Sequence, residues 1–198
     1  MAIIVDKVQK RRDIALACKE LFFLNGINGL TVSQVAKTAG VGKGTIYDYF
    51  KNKEDIVFEI VNILMAENNE RKHIKLNKLT TTREKVKEFS SFFYNEEEKE
   101  LRELYKEFIS ISLVNPDKEM MELQTTCSND YFQWFTEILN EGVKNGEIKE
   151  DSQKLARGLF VMAEGMFITS VVTHTVDDVK KEIHKFTDSI FDLIEVKK

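Results

Sequence analysis

"TAGVGKGTIYDYF", residues 38–50, sets Gly40, Gly42 and Gly44 around Lys43 and then turns aromatic. Glycines beside a lysine serve two kinds of chemistry. They cradle the phosphates of a nucleotide, or they bend the chain so that a short helix meets the phosphates of a nucleic acid. A nucleotide loop needs G-x-x-x-x-G-K-[ST], its last hydroxyl on magnesium. Here Lys37 stands where the first glycine belongs, and Gly44 follows Lys43 where the hydroxyl belongs. The preceding "SQVAKTA" also reads as helix rather than as a β-branched strand.

A helix-turn-helix asks for a small residue where two helices cross, a sharp bend and an apolar set that knits the unit. Ala36 supplies the first and Gly40 the second. Val32, Val35, Ala39, Val41, Ile46 and Phe50 supply the third. The second helix, residues 42–49, then offers its N-terminal side chains to a major groove. Gly44 permits close approach to a base edge or sugar, Thr45 reads a base or a thymine methyl, and Lys43 reaches guanine or phosphate. Tyr47 and Tyr49 are assigned to phosphates, with inward packing beside Phe50 open for Tyr49. Thr31 and Lys53 stand at expected helix starts, where amides and dipole favour a phosphate. Asp48 is expected in solvent, off the groove.

Outward from this stretch the chain reads as helix. A single proline and nine glycines, five of them between positions 26 and 44, favour an all-α protein over many short strands. A first helix is expected over 7–25, with Ile14, Ala17, Cys18, Leu21 and Phe22 on one face and Gly26 as a left-handed cap. "TVSQ" at 31–34 has the form of a capping box. Asn52 with Asp55 opens a long helix carrying Ile56, Val57, Ile60, Val61, Leu64 and Met65. Thr81 with Glu84, Asn95 with Glu98, and Asn115 before Pro116 mark later starts, and Gly146 a later end. Two final helices are expected over 151–174 and 176–196.

Charge is uneven. Residues 1–55 hold nine Lys/Arg against six acids, whereas the whole chain carries a net charge of −4. A basic head on an acidic body suits a protein that meets a polyanion at one end. The longest charge-free apolar run near the C-terminus, Gly165 to Val176, is 12 residues and short of a membrane span. The N-terminus lacks the h-region of a signal peptide, so a cytoplasmic location is expected. Cys18 and Cys127 read as small buried thiols. With three histidines and no C-x-x-C, no metal or cofactor is expected. One Glu-x-x-His pair, Glu70 with His73, falls short of a di-iron bundle, and no nucleophile motif is present, so an enzyme is the weaker expectation.

The residues "ALACKELFFLNGINGLTVSQVAKTAGVGKGTIYDYFKNKEDI", 15–56, resemble the DNA-binding domain of TetR-family transcriptional regulators. Gly42 departs from the family pattern, where a serine or threonine is usual. The resemblance implies about nine helices, a homodimer, and a C-terminal domain that binds a small effector and so alters DNA affinity. It sets a DNA-binding domain at 1–52 and an effector-binding and dimerisation domain at 53–198. The last two helices would form the dimer seam.

Aromatic residues between 89 and 135 suit an apolar pocket or a packed core. Phe92, Tyr105, Phe108 and Trp134 are the candidate effector contacts, with Glu164, a carboxylate amid Phe160, Phe167 and Val171 that needs a partner. The expectation is therefore a dimeric, ligand-responsive repressor on a palindromic double-stranded DNA operator. The alternatives are a DNA-binding dimer without an effector, and a helical carrier or enzyme.

Overall fold

The computed structural model describes residues 6–26, 29–114 and 118–197. Among these are nine α-helices: α1 (Lys7–Asn25), α2 (Val32–Thr38), α3 (Lys43–Tyr49), α4 (Lys53–Leu76), α5 (Thr82–Phe89), α6 (Lys99–Val114), α7 (Lys118–Lys144), α8 (Ala156–Val172) and α9 (Val179–Ile194). The described residues include no strand, only an isolated antiparallel bridge between Ile148 and Glu195. The all-α expectation holds.

Local signals placed most helix ends. Thr31 and Gln34 form both bonds of a capping box, and so do Thr81 and Glu84. Asn52 Oδ1 accepts from the Asp55 amide at 2.8 Å. Gly26 closes α1 at φ 69° and Gly146 follows α7 at the same φ, a region where a Cβ is strained. The expected start at Asn115 and Pro116 lies outside the described residues.

Four expectations need correction. α1 buries Ile14, Ala15, Cys18 and Phe22, so Ala15 rather than Ala17 joins the inner face. Residues 150–155 wind as a 3-10 turn before α8, in place of one continuous helix. α9 starts at Val179 because the Asp178 carboxylate accepts from the Lys181 amide at 2.9 Å. Cys127 is half-buried, whereas Cys18 is sealed and burial pushes its thiol up to about 11.

The chain divides into two compact units, Met1–Asn68 with Glu103–Pro116, and Asn69–Arg102 with Asp117–Lys198. In the first, α1, α2 and α3 pack through Ile14, Cys18, Phe22, Val35, Ala36, Ile46 and Phe50, all nearly inaccessible. In the second, Leu76, Val86, Phe89, Phe135, Leu139, Ile148, Leu159 and Phe191 form the core. The stretch Glu150–Val172 has a mean hydropathy of 1.5 over its most apolar window, of which 22% is buried. By length and composition it passes as a membrane span, although Arg157 and Glu164 interrupt it and leave no long charge-free run. Val161, Val171 and Val172 of α8 and Phe186 and Leu193 of α9 are exposed.

Candidate nucleic-acid interface

The turn between α2 and α3 is built by glycine and closed by backbone. Gly40 adopts φ 67°, and the Val41 amide then reaches back to the Ala36 carbonyl at 3.0 Å. That reversal lets Val35 and Ile46 bury together with Phe50, while Val32, Ala39 and Val41 are half-buried. With Ile46 and Phe50 as its inward anchors, α3 turns Lys43, Gly44, Tyr47 and Asp48 to solvent, and leaves Thr45 and Tyr49 half-exposed.

Each candidate contact can be placed. A Cβ on Gly44 would meet nothing within 4 Å, so the helix surface there is bare backbone. Gly42 caps α3 without a side-chain hydrogen bond, as the loss of a serine or threonine predicts. Tyr47 is 54% exposed. Thr31 is exposed, but its hydroxyl accepts from the Gln34 amide and donates to Gln34 Oε1 at 2.9 Å. Lys53 is half-buried, with Nζ donating to the Leu30 carbonyl at 3.3 Å, so it holds the entry to α2.

Sequence reasoning missed the group that organises the far end of α3. Arg11, which in the sequence is only one of several basic residues, donates through Nη1 to the Tyr49 carbonyl. Its Nη2 reaches Asp55 at 2.7 Å and its Nε reaches Glu59 at 2.8 Å, with the guanidinium 4.4 Å from the Phe50 ring centroid. Asp55 also accepts from the Lys51 amide at 3.1 Å. Partial burial works against the Asp55 carboxylate, but these hydrogen bonds outweigh it and hold its pKa below the ordinary value. Arg12 is likewise paired, to Glu67 at 3.3 Å. The usable positive surface is therefore smaller than the residue count suggested.

The five effector candidates fall in both units. Tyr105 is half-buried and Phe108 buried in the first, the latter 5.9 Å from the Phe58 ring centroid. Phe92, Trp134 and Glu164 are half-buried in the second, with Trp134 stacked on His73 at 3.9 Å. Two hollows are lined by other residues. One of about 350 Å³ lies in the first unit against Phe22, Phe23, Glu103 and Leu104, and one of about 610 Å³ in the second against the charged side of α9. Asn95 caps the turn at residues 96–98, and Glu98 there turns inward onto Lys72.

A short helix anchored on two apolar residues, bare at Gly44 and exposed at Lys43 and Tyr47, is the reading element of a helix-turn-helix DNA-binding protein. The family profile described as bacterial regulatory proteins, tetR family, matches residues 14–60. The fatty acid metabolism regulator protein of Bacillus subtilis is 30% identical over 194 residues, 95% of each chain. The crystal structure of the transcriptional regulator FadR from Bacillus subtilis in complex with stearoyl-CoA is 28% identical, with a TM-score of 0.64 over 91% of this chain and 95% of that one. A TetR-family regulator from Cytophaga hutchinsonii shares the fold at a TM-score of 0.79 over 98% and 99% of the two chains, with 16% identity. The chain belongs to the TetR family of transcriptional regulators, and its function is DNA-binding regulation of transcription.

Proposed function

We propose that the chain acts as a homodimeric, effector-released repressor in the cytoplasm. Residues 1–52 read DNA, and residues 53–198 hold the effector and the dimer seam. The observation that carries the reading is the outward face of α3, where Gly44 is bare and Lys43 and Tyr47 are exposed. In this reading Thr45 sets base preference, Gly44 lets the helix sink, and Lys43 reaches guanine or phosphate. Tyr47, Tyr49, Lys53 and the α2 start at Thr31 hold phosphates.

Dimerisation is supported by α8 and α9, whose apolar Val161, Val171, Val172, Phe186 and Leu193 stay exposed in the single chain. Exposed apolar residues on adjacent helices suit a second copy of the same surface. Two reading helices would then enter successive major grooves about 34–36 Å apart.

For the effector we propose a long-chain acyl-CoA, on the strength of the FadR structure from Bacillus subtilis, solved in complex with stearoyl-CoA. Phe92, Trp134 and Glu164 of the second unit remain proposed contacts, and Tyr105 and Phe108 of the first remain separate candidates. A regulator without an effector is the second reading, favoured by the rings of Phe89, Tyr131, Trp134, Phe135 and Phe160, which pack against one another in the second unit. Titrating stearoyl-CoA into a complex of protein and its selected duplex separates the two. Release supports the acyl-CoA reading, and unchanged binding at saturating ligand supports the second.

A further inference from the structure

We propose that Arg11 is a positioning residue for the DNA-reading helix: a guanidinium that stays off the DNA and sets the angle at which α3 is presented. The proposal rests on α3 being the reading element, and it concerns a residue outside the helix-turn-helix itself.

The geometry gives this one side chain four simultaneous partners. They are the carbonyl of Tyr49, the last residue of α3, the face of the Phe50 ring that follows it, and the Asp55 and Glu59 carboxylates on α4. These contacts leave the Arg11 side chain 29% exposed. Asp55 extends the clasp through the Lys51 amide, and Asn52 caps the same turn of α4. The corner Tyr49–Asp55 is thus tied from α1 across 38 to 44 residues of sequence. A guanidinium is a rigid planar fork that can stack on a ring face while its N–H groups hold a carbonyl and carboxylates in fixed directions, whereas an ammonium is a compact point charge on a flexible stem. Base readout is sensitive to such an angle, because hydrogen bonds to base edges tolerate little displacement. Phosphate contacts carry no sequence information and survive a small tilt.

The consequence is a separation of specificity from charge. The probe is the tightest duplex recovered by the wild-type protein from a random-sequence pool, compared with a scrambled duplex, each titrated from low to moderate salt. For Arg11→Lys and Arg11→Gln we expect operator affinity to fall tenfold or more, scrambled affinity to stay within about twofold, and the salt slope of the scrambled complex to stay unchanged. Glu59→Gln, which keeps the rest of the clasp, should lower the operator-to-scrambled ratio in the same direction by a smaller factor, and it serves where the Arg11 variants do not fold. Circular dichroism below the melting temperature establishes which variants are folded. A salt slope lower by about one for Arg11→Gln, with both duplexes weakened alike, would make Arg11 a phosphate contact and overturn the proposal. Unchanged affinity in the folded variants overturns it too. Wild-type protein that binds no duplex would instead defeat the DNA-reading assignment.

Discussion

Lys72 and Glu98 form an ion pair at 3.2 Å with both side chains almost wholly out of solvent. The ammonium also donates to the Glu88 and Phe89 carbonyls at 3.2 and 3.3 Å and to Ser91 Oγ at 3.0 Å, so it closes the C-terminal end of α5. Burial depresses the Lys72 pKa, and the neighbouring Glu98 carboxylate opposes the shift. Breaking such a pair from one side leaves a buried charge without its counterpart. Lys72→Met is expected to cost about 3–5 kcal/mol in denaturant unfolding at fixed protein concentration, and Lys72→Met with Glu98→Leu much less. Equal losses for the single and double variants would mean that the pair is a bystander to packing.

Gly40 and Gly44 separate backbone need from surface need. Neither would bring a Cβ within 4 Å of another atom, but Gly40 holds φ 67° and Gly44 does not have a positive φ. Gly40→Ala should therefore destabilise by about 1–2 kcal/mol. Gly44→Ala should stabilise the isolated protein by up to about 1 kcal/mol through helix propensity, while lowering operator affinity because the methyl stands between α3 and the bases. Thermal melts beside anisotropy titrations check both. A Gly44→Ala variant that binds as tightly as wild type would remove the close-approach role.

Gly42 offers the converse test. It caps α3 with no side-chain bond, and a Cβ there would touch only Thr45 Oγ1, at 3.7 Å. Gly42→Ser should add a few tenths of a kcal/mol of stability by capping a free amide. Its hydroxyl also faces the phosphates in the proposed complex, so operator affinity should rise rather than fall.

Acid should loosen the head through Asp55. A carboxylate whose folded pKa is depressed contributes stability that is fully present above its unfolded value, about 3.9, and is lost as pH falls through the lower folded value. The stability gap between wild type and Asp55→Asn should be constant near neutrality and close below about pH 4. A gap that does not narrow at all as pH falls through the acid range would show that Asp55 contributes through shape and not charge.

How far the sequence could be read follows from how local each cause is. Thr31 with Gln34, Thr81 with Glu84, and Gly26 act within a few residues, so each marks its helix end by residue type and spacing alone. Ile46 and Phe50 declare the inner side of α3 by spacing, which leaves Lys43, Gly44 and Tyr47 as the outer one. Arg11 is illegible because its partners lie 38 to 48 residues away, and a basic run looks the same whether it faces phosphate or carboxylate. The Lys72–Glu98 pair is illegible for the same reason, since only the fold brings the two residues together. The start of α9 is different: Asp178 is a local cap signal, obscured in the sequence by the apolar Val176 ahead of it.

That the outer face of α3 recognises duplex sequence is tested most directly by a ratio of affinities, for a duplex from the DNA upstream of its own gene and for a scrambled one, with Thr45→Ala and Lys43→Ala beside wild type. Wild type should favour its site by about 10³-fold or more at physiological salt. Thr45→Ala should alter which bases are preferred, and Lys43→Ala should weaken the complex. No binding of any duplex in dilute buffer, or a ratio near one that neither substitution moves, would contradict the account.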